Sequence, residues 1–127
     1  MIIASGNIVH NLSKREWEKP EGAFAWAQRF DDAVAELMLS DPGAILKLVE
    51  HPDYSLAVPT PDHFIPLLYL AGLAAVGEGR ATALIRGCTL GSVSMTCYGV
   101  GADVTLADSG GHAAPLPTNV PPEQTNI

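Results

Sequence analysis

The amphipathic segment at residues 26–40 constrains the fold of this chain more than any other feature. Large apolar residues recur there at helical spacing, and charged residues fill the positions between them. The apolar positions are Trp26, Phe30, Val34, Leu37 and Met38, and the charged positions are Arg29, Asp31, Asp32 and Glu36. This pattern predicts a long helix that ends near Ser40, with its apolar face on a core and its charged face in solvent.

Apolar segments on either side of this helix predict strands, so we expect an α/β fold. Residues 2–4 form a short β-branched run that ends at a polar turn, which predicts a buried strand. Residues 83–85 predict a second strand. Residues 92–100 alternate apolar with polar positions, which predicts a strand that is half-buried or lies at a sheet edge.

Shorter elements are expected between the long helix and the later strands. Asp41 and Pro42 combine a capping carboxylate with a first-turn proline, which predicts a second, short helix that ends at residues 51–52. Residues 56–59 predict extended chain. Residues 60–63, Thr-Pro-Asp-His, predict the start of a third helix with a hydroxyl cap.

The spacing within the third helix bears on function. An apolar stripe continues from His63 at helical spacing, so its imidazole is expected at the end of the face that packs on the core. Pro66 lacks the amide hydrogen that a regular helix needs, which predicts a distorted first turn. Such departures from local rules are common near functional sites.

The length of 127 residues suits one domain, since single domains cluster near ~100–150 residues. Residues 107–127 contain four prolines, few large apolar residues and no lysine or arginine, so they cannot support a packed core. We therefore expect a folded domain at residues 1–106 and a disordered tail at residues 107–127.

Charge and hydropathy exclude several classes of partner. Seven basic against fourteen acidic residues give a net charge of −7, which repels phosphate backbones, so no nucleic-acid partner is expected. The longest uncharged apolar stretch, residues 64–77, is shorter than the ~20 residues of a membrane span, so no membrane association is expected. The start of the chain is unlike a secretory signal, and two cysteines fit neither a disulfide scaffold nor a zinc ribbon. These features favour a cytoplasmic location with reduced thiols.

Histidines are the only plausible reactive set, because the chain has no nucleophile elbow and no Gly-rich phosphate loop. His112 in the tail is expected to be solvated, and His51 in a turn is expected to be structural. His10 follows a strand closely, which places it at the carboxyl end of the sheet, although it could be a surface-loop histidine. His63 could equally be a buried histidine bonded to the backbone. Two histidines without a third ligand are a weak metal signal.

Two stretches carry a resemblance to a known family. They are Ala-Ser-Gly-Asn-Ile-Val-His-Asn-Leu at residues 4–12 and Pro-Thr-Pro-Asp-His-Phe-Ile-Pro-Leu-Leu-Tyr at residues 59–69. Together they resemble the C-terminal half of the class III (LigB-type) extradiol ring-cleavage dioxygenases, most closely the 4,5-DOPA extradiol dioxygenase group. Gly-Ser-Val-Ser-Met at residues 91–95 resembles the last strand of that group. The resemblance implies the C-terminal part of a mixed open sheet flanked by helices, with the N-terminal half of the fold absent.

The resemblance also implies residue roles and a reaction. His10 matches the family's acid/base histidine, which lies just outside the metal's coordination shell, and His63 matches a metal ligand. The metal implied is Fe(II), with Zn(II) as an alternative, and the reactants are a catechol-type substrate and O2. Imidazoles suit such a metal, and a histidine near its ordinary pKa can take and return a proton.

The family's other two ligands lie in its N-terminal half, and neither His51 nor His112 stands in a matching motif. We therefore expect this chain alone to be inactive. It is interpreted as a truncated frame, with a degraded gene or a split enzyme completed by a separate N-terminal half as alternatives. A non-catalytic LigB-like interaction or ligand-binding module is the rival hypothesis.

Overall fold

The structure of the chain, a computed structural model, describes residues 1–18, 20–77 and 81–101. The tail predicted at residues 107–127, with His112, lies outside the described residues. The domain boundary at residue 106 therefore stays a prediction.

The longest helix, α1 (Ala25–Ser40), is the one that the amphipathic pattern predicts. Its buried apolar residues are Ala27, Phe30, Val34, Ala35 and Met38. Asp31 is also buried, with only 1% of its surface exposed, so its predicted place in solvent is wrong. The reason is tertiary, because its carboxylate accepts hydrogen bonds from two hydroxyl groups that lie far along the chain.

The chain after α1 departs from the predicted pattern in two places. The second predicted helix is a 3-10 helix, Pro42–Glu50, and Asp41 makes no side-chain cap there; instead its N–H closes α1 by donating to the carbonyl of Leu37. Residues 56–59 were expected to be extended, but the short helix α2 (Tyr54–Ala57) occupies the first two of them. Amide groups of this helix donate to the carbonyls of His51 and Asp53, three or four residues earlier, which apolar composition alone does not indicate.

The last helix, α3 (Ile65–Val76), begins later than predicted, because residues 60–64 form turns. No side chain caps α3, so the predicted cap by Thr60 is wrong; the Thr60 hydroxyl is bonded to a histidine ring instead. Pro66 lies in the first turn, where its missing amide hydrogen leaves no helical bond broken. The irregular part of this segment is the run of turns at residues 60–64, before α3 begins.

The described strands are β1 (Ile2–Ser5), β2 (Ala81–Ile85), β3 (Cys88–Thr89), β4 (Val93–Ser94) and β5 (Cys97–Val100). The first, fifth and second form an antiparallel sheet in the order β1-β5-β2, and β3 pairs with β4 in a small hairpin. The single strand expected at residues 92–100 is thus two strands. The last one is central rather than at an edge, because it has a neighbour on each side.

Strand β1 lies at the edge of the main sheet. Ile2 and Ile3 are each 50% exposed, so the prediction that this strand is buried is wrong. The reason is that, within the described residues, β5 is its only neighbour in the sheet. An edge strand with exposed apolar side chains is a surface suited to further pairing.

The core lies between the main sheet and the helices. Helix α1 packs against β2 and the 3-10 helix, and α3 packs against β1 and the 3-10 helix. This arrangement confirms an α/β fold, with small antiparallel sheets. No helix in the described ranges is long and apolar enough to cross a bilayer.

Candidate functional site

The segment that carries His10 leaves β1 and is held by the strand β4. The amide of Ser94 donates to the carbonyl of Val9 at 2.8 Å, and the Asn7 side-chain amide donates to the carbonyl of Ser94 at 3.0 Å. The backbone N–H of His10 donates to the carbonyl of Ala57 at 3.0 Å. Hydrogen bonds on both sides therefore fix the path of the chain at His10.

The turns at residues 60–64 bring His63 onto this segment. The two imidazole rings are stacked, with centroids 4.4 Å apart and planes 30° from parallel. The structure thus brings together the two histidines that the sequence singles out, although their roles stay predictions. His10 is buried, whereas the His63 side chain is 31% exposed.

The ring of His10 has one bonded and one unbonded nitrogen. Its Nε2 lies 3.0 Å from the Thr60 hydroxyl oxygen, and its Nδ1 is buried without a hydrogen-bond partner. Burial lowers the pKa of His10, and the nearby His63 lowers it further, while the backbone of Ile8 and the Asp62 carboxylate oppose the shift. A lowered pKa keeps this imidazole neutral near pH 7, which is the form that can accept a proton.

Asp62 stands on the exposed side of the pair. One of its carboxylate oxygens lies 3.4 Å from Nε2 of His63, an ion pair only when that ring is protonated. A hydrogen bond from the Thr60 hydroxyl is the main cause that lowers the pKa of Asp62. Thr60 therefore lies between the His10 ring and the Asp62 carboxylate and contacts both.

A small cavity opens beside His63, between β1, β5 and the start of α3. Its lining residues are Ala4, Ser5, Gly6, Ile8, His63, Pro66, Leu67, Thr96 and Tyr98. Its volume of about 10 Å³ is on the scale of a single water molecule. The described residues alone therefore leave no room here for a ring-sized ligand.

The metal donors near the pair do not make a complete site. Within residues 1–18, 20–77 and 81–101, no three His, Cys, Asp or Glu side chains are placed so that they could hold one ion. A catalytic metal usually needs about three protein ligands, so the described residues alone do not make a full site for the implied iron. His51 lies elsewhere, with its ring edge-on to Phe30 and its Nδ1 accepting the amide of Asp53, as expected of a structural histidine.

Sequence reasoning missed a buried polar cluster behind the pair. Oδ1 of Asp31 accepts hydrogen bonds from the hydroxyls of Ser94 and Thr96, and Oδ2 lies 3.3 Å from a guanidinium nitrogen of Arg86. Burial, and secondarily the Asp31 charge, raise the pKa of the nearby Cys88 thiol to about 12, so it stays protonated. Helical spacing offers one signal, because Asp31 lies on the same face of α1 as Ala27 and Val34, whereas Asp32 lies off that face.

Comparison with known proteins finds a similar solved structure and a relative of similar sequence. No family model matches the chain. The fold is similar to the crystal structure of an uncharacterized protein, JW3007, from Escherichia coli K12, with a TM-score of 0.64 and 31% identity over 73% of this chain and 39% of that one. The sequence is 35% identical to 4,5-DOPA dioxygenase extradiol of Escherichia coli (strain K12) over 105 residues, which is 80% of this chain.

That match confirms the resemblance inferred from residues 4–12 and 59–69. The chain spans only 38% of the length of this relative and 39% of the solved structure. A match of that extent is what a half-length resemblance predicts.

Proposed function

We propose that this chain is the part of an extradiol dioxygenase that supplies one metal ligand, His63, and the acid/base residue, His10. The observation that carries the proposal is the stacked pair itself, formed by the two stretches on which the resemblance rests. The proposed reaction opens a catechol such as DOPA with O2 beside its two hydroxyl groups. Fe(II), with Zn(II) as the alternative, is the proposed metal.

The residues around His10 suit a proton-transfer role. Its lowered pKa leaves a neutral imidazole that can take a proton from a catechol hydroxyl and return it later. The contact of Nε2 with the Thr60 hydroxyl oxygen holds the orientation of the ring. The pKa and the fixed ring support the assignment of His10 as the base.

The remaining ligands are proposed to come from a complementary half. Its docking surface would combine the β1 edge with the outer face of α3, where Tyr69 is 74% and Val76 is 92% exposed. Helix α3 carries no charged residue, and it packs against β1. Both elements adjoin His63, so a partner on this surface stands where the missing ligands are needed. The uncovered share of both relatives is long enough to supply such a half.

The proposal is tested by a chimera in which residues 1–101 replace the C-terminal portion of the Escherichia coli 4,5-DOPA dioxygenase extradiol. We expect the metal-loaded chimera to form a visible semialdehyde from L-DOPA and air. His63→Ala should lose both metal and product. His10→Gln should keep the metal but slow turnover about 10²–10⁴-fold, the usual share of acid/base catalysis.

His51→Ala is the matched control and should leave turnover unchanged. A folded, metal-loaded chimera without product would instead favour the non-catalytic LigB-like binding module, which the incomplete donor set also supports. A cytoplasmic location stays part of the proposal, supported by the two free, buried thiols at Cys88 and Cys97.

A further inference from the structure

The buried carboxylate of Asp31 is the polar feature that the proposed site does not use. It is almost fully buried, and it is surrounded by two hydroxyl donors and one guanidinium. Burying a charge is costly unless it is paired and hydrogen-bonded, so a carboxylate at this position needs these partners. The two hydroxyl donors connect the Asp31 carboxylate to the site.

Ser94 links this carboxylate to the segment that carries His10. Its side chain donates to Asp31, while its backbone amide and carbonyl bind Val9 and Asn7. Ser94 is thus held by Asp31 through its side chain, and its backbone holds the segment before His10. Ser94 itself lies in β4, whose hairpin with β3 is only two residues deep.

Thr96 links the same carboxylate to the cavity beside His63. Its hydroxyl donates to Asp31 at 2.8 Å, its amide donates to the Ser94 hydroxyl oxygen at 3.2 Å, and its side chain lines the cavity. The corner between β4 and β5 is therefore held by the carboxylate of Asp31. This corner contacts the segment before His10 on one side and lines the cavity beside His63 on the other.

We propose that Asp31 is a positioning residue that acts through Ser94 to hold His10 in its stack on His63. The catalytic consequence rests on the proposed function above. The effect on the position of the His10 ring does not rest on that function, because it is measured as the ring contact in this chain alone. Arg86 has a different part, since it balances the charge of Asp31 and also binds the exposed Asp32 at 2.6 Å.

The test compares Asp31→Ala and Ser94→Ala with the control Asp32→Ala in the full chain. Asp32 stands next to Asp31 on α1 and shares Arg86, but it is exposed and has no bond to the β4–β5 corner. The readout is the nuclear Overhauser contact between the His10 and His63 rings, with circular dichroism as the check on folding. We expect the contact to be lost in Asp31→Ala and Ser94→Ala, which remove the acceptor and the donor, and kept in Asp32→Ala and in Ser94→Thr, which retains a hydroxyl.

A folded Ser94→Ala chain that keeps the ring contact would overturn the proposal. Failure of both Asp31→Ala and Ser94→Ala to fold would also overturn it, because the cluster would then hold the whole core rather than the pair. In the chimera, Ser94→Ala should lower kcat about 100-fold with KM little changed, as expected of a misplaced catalytic group. If Ser94→Ala loses the ring contact but the unsubstituted chimera forms no product, the positioning role is supported and the proposed reaction is rejected.

Discussion

At the scale of single residues, the stacking of His10 on His63 brings together two side chains on different elements. Each ring is held by its own segment, one by β4 and α2 and the other by the turns before α3. A positive charge on His63 disfavours a proton on His10, because like charges at this distance repel. The neighbouring ring therefore adds to burial in lowering the pKa of His10.

His10 should titrate below its ordinary pKa of about 6.5, because burial and His63 both disfavour its charged form. His63→Ala should raise the pKa of His10, since it removes the neighbouring charge and admits water. His51→Ala should leave it unchanged. The measurement is a histidine ring proton NMR titration of the three chains, and an unchanged His10 pKa in His63→Ala would contradict this interpretation.

The same shift gives a pH dependence of stability with a definite sign. The unfolded chain binds the His10 proton more tightly than the folded chain does. The free energy of unfolding therefore falls as pH drops from about 6.5 to the lower folded pKa, and this contribution stays constant below it. Urea unfolding across this interval should show a steeper pH dependence for the wild type than for His10→Gln.

Two glycines make a matched pair for backbone strain. Gly91 has φ +73°, and a Cβ there would lie 2.6 Å from the ring of Phe24, whereas Gly72 in α3 has open space around it. Gly91→Ala should destabilise the fold by at least about 1–2 kcal/mol. Gly72→Ala should stabilise it by about 0.5–1 kcal/mol. Thermal unfolding of both variants checks the opposite signs, and equal effects would contradict the argument.

At the scale of elements, the spacing of apolar residues predicts those helices and strands that depend on local sequence. The amphipathic spacing at residues 26–40 predicts α1 closely, because a helix buries one face at a period that the sequence displays. The partners that allow Asp31 to be buried could not be predicted, since its two hydroxyl donors lie 63 and 65 residues further along. The central place of β5 depends likewise on pairing with two distant strands.

The candidate site was likewise predictable only in part. Spacing alone left His10 and His63 with a structural interpretation as well as a functional one. Their selection came from the resemblance, and their contact comes from tertiary packing that joins the segment after β1 to the turn before α3. The Thr60 hydroxyl, expected as a helix cap, serves the His10 ring instead.

The buried face of α1 should carry much of the stability. Phe30 is fully buried and packs edge-on against Tyr54, so Phe30→Ala should cost about 3–5 kcal/mol through lost burial and the cavity left behind. Leu39→Ala is the matched control, since Leu39 lies on the same helix but is largely exposed. Urea denaturation should separate the two variants by at least about 2 kcal/mol, and a smaller gap would show that this face is not the centre of the core.

At the scale of the whole molecule, a packed core and a partial set of metal donors occur together in the described residues. The core around α1 and α3 is closed, whereas β1 and the outer face of α3 leave apolar side chains in solvent. Exposed apolar surface of this kind marks an interaction site, and it adjoins His63, which has no complete set of metal donors around it among residues 1–18, 20–77 and 81–101. The surface and the partial donor set support one account, in which the active site is completed by another polypeptide segment.

The most direct test of that account is anaerobic loading of the purified chain with Fe(II), followed by L-DOPA and air. A single imidazole ligand holds iron weakly, so we expect the metal to be lost on gel filtration and no semialdehyde chromophore to form. Stoichiometric retention of iron together with turnover by the chain alone would contradict the claim that its site is incomplete.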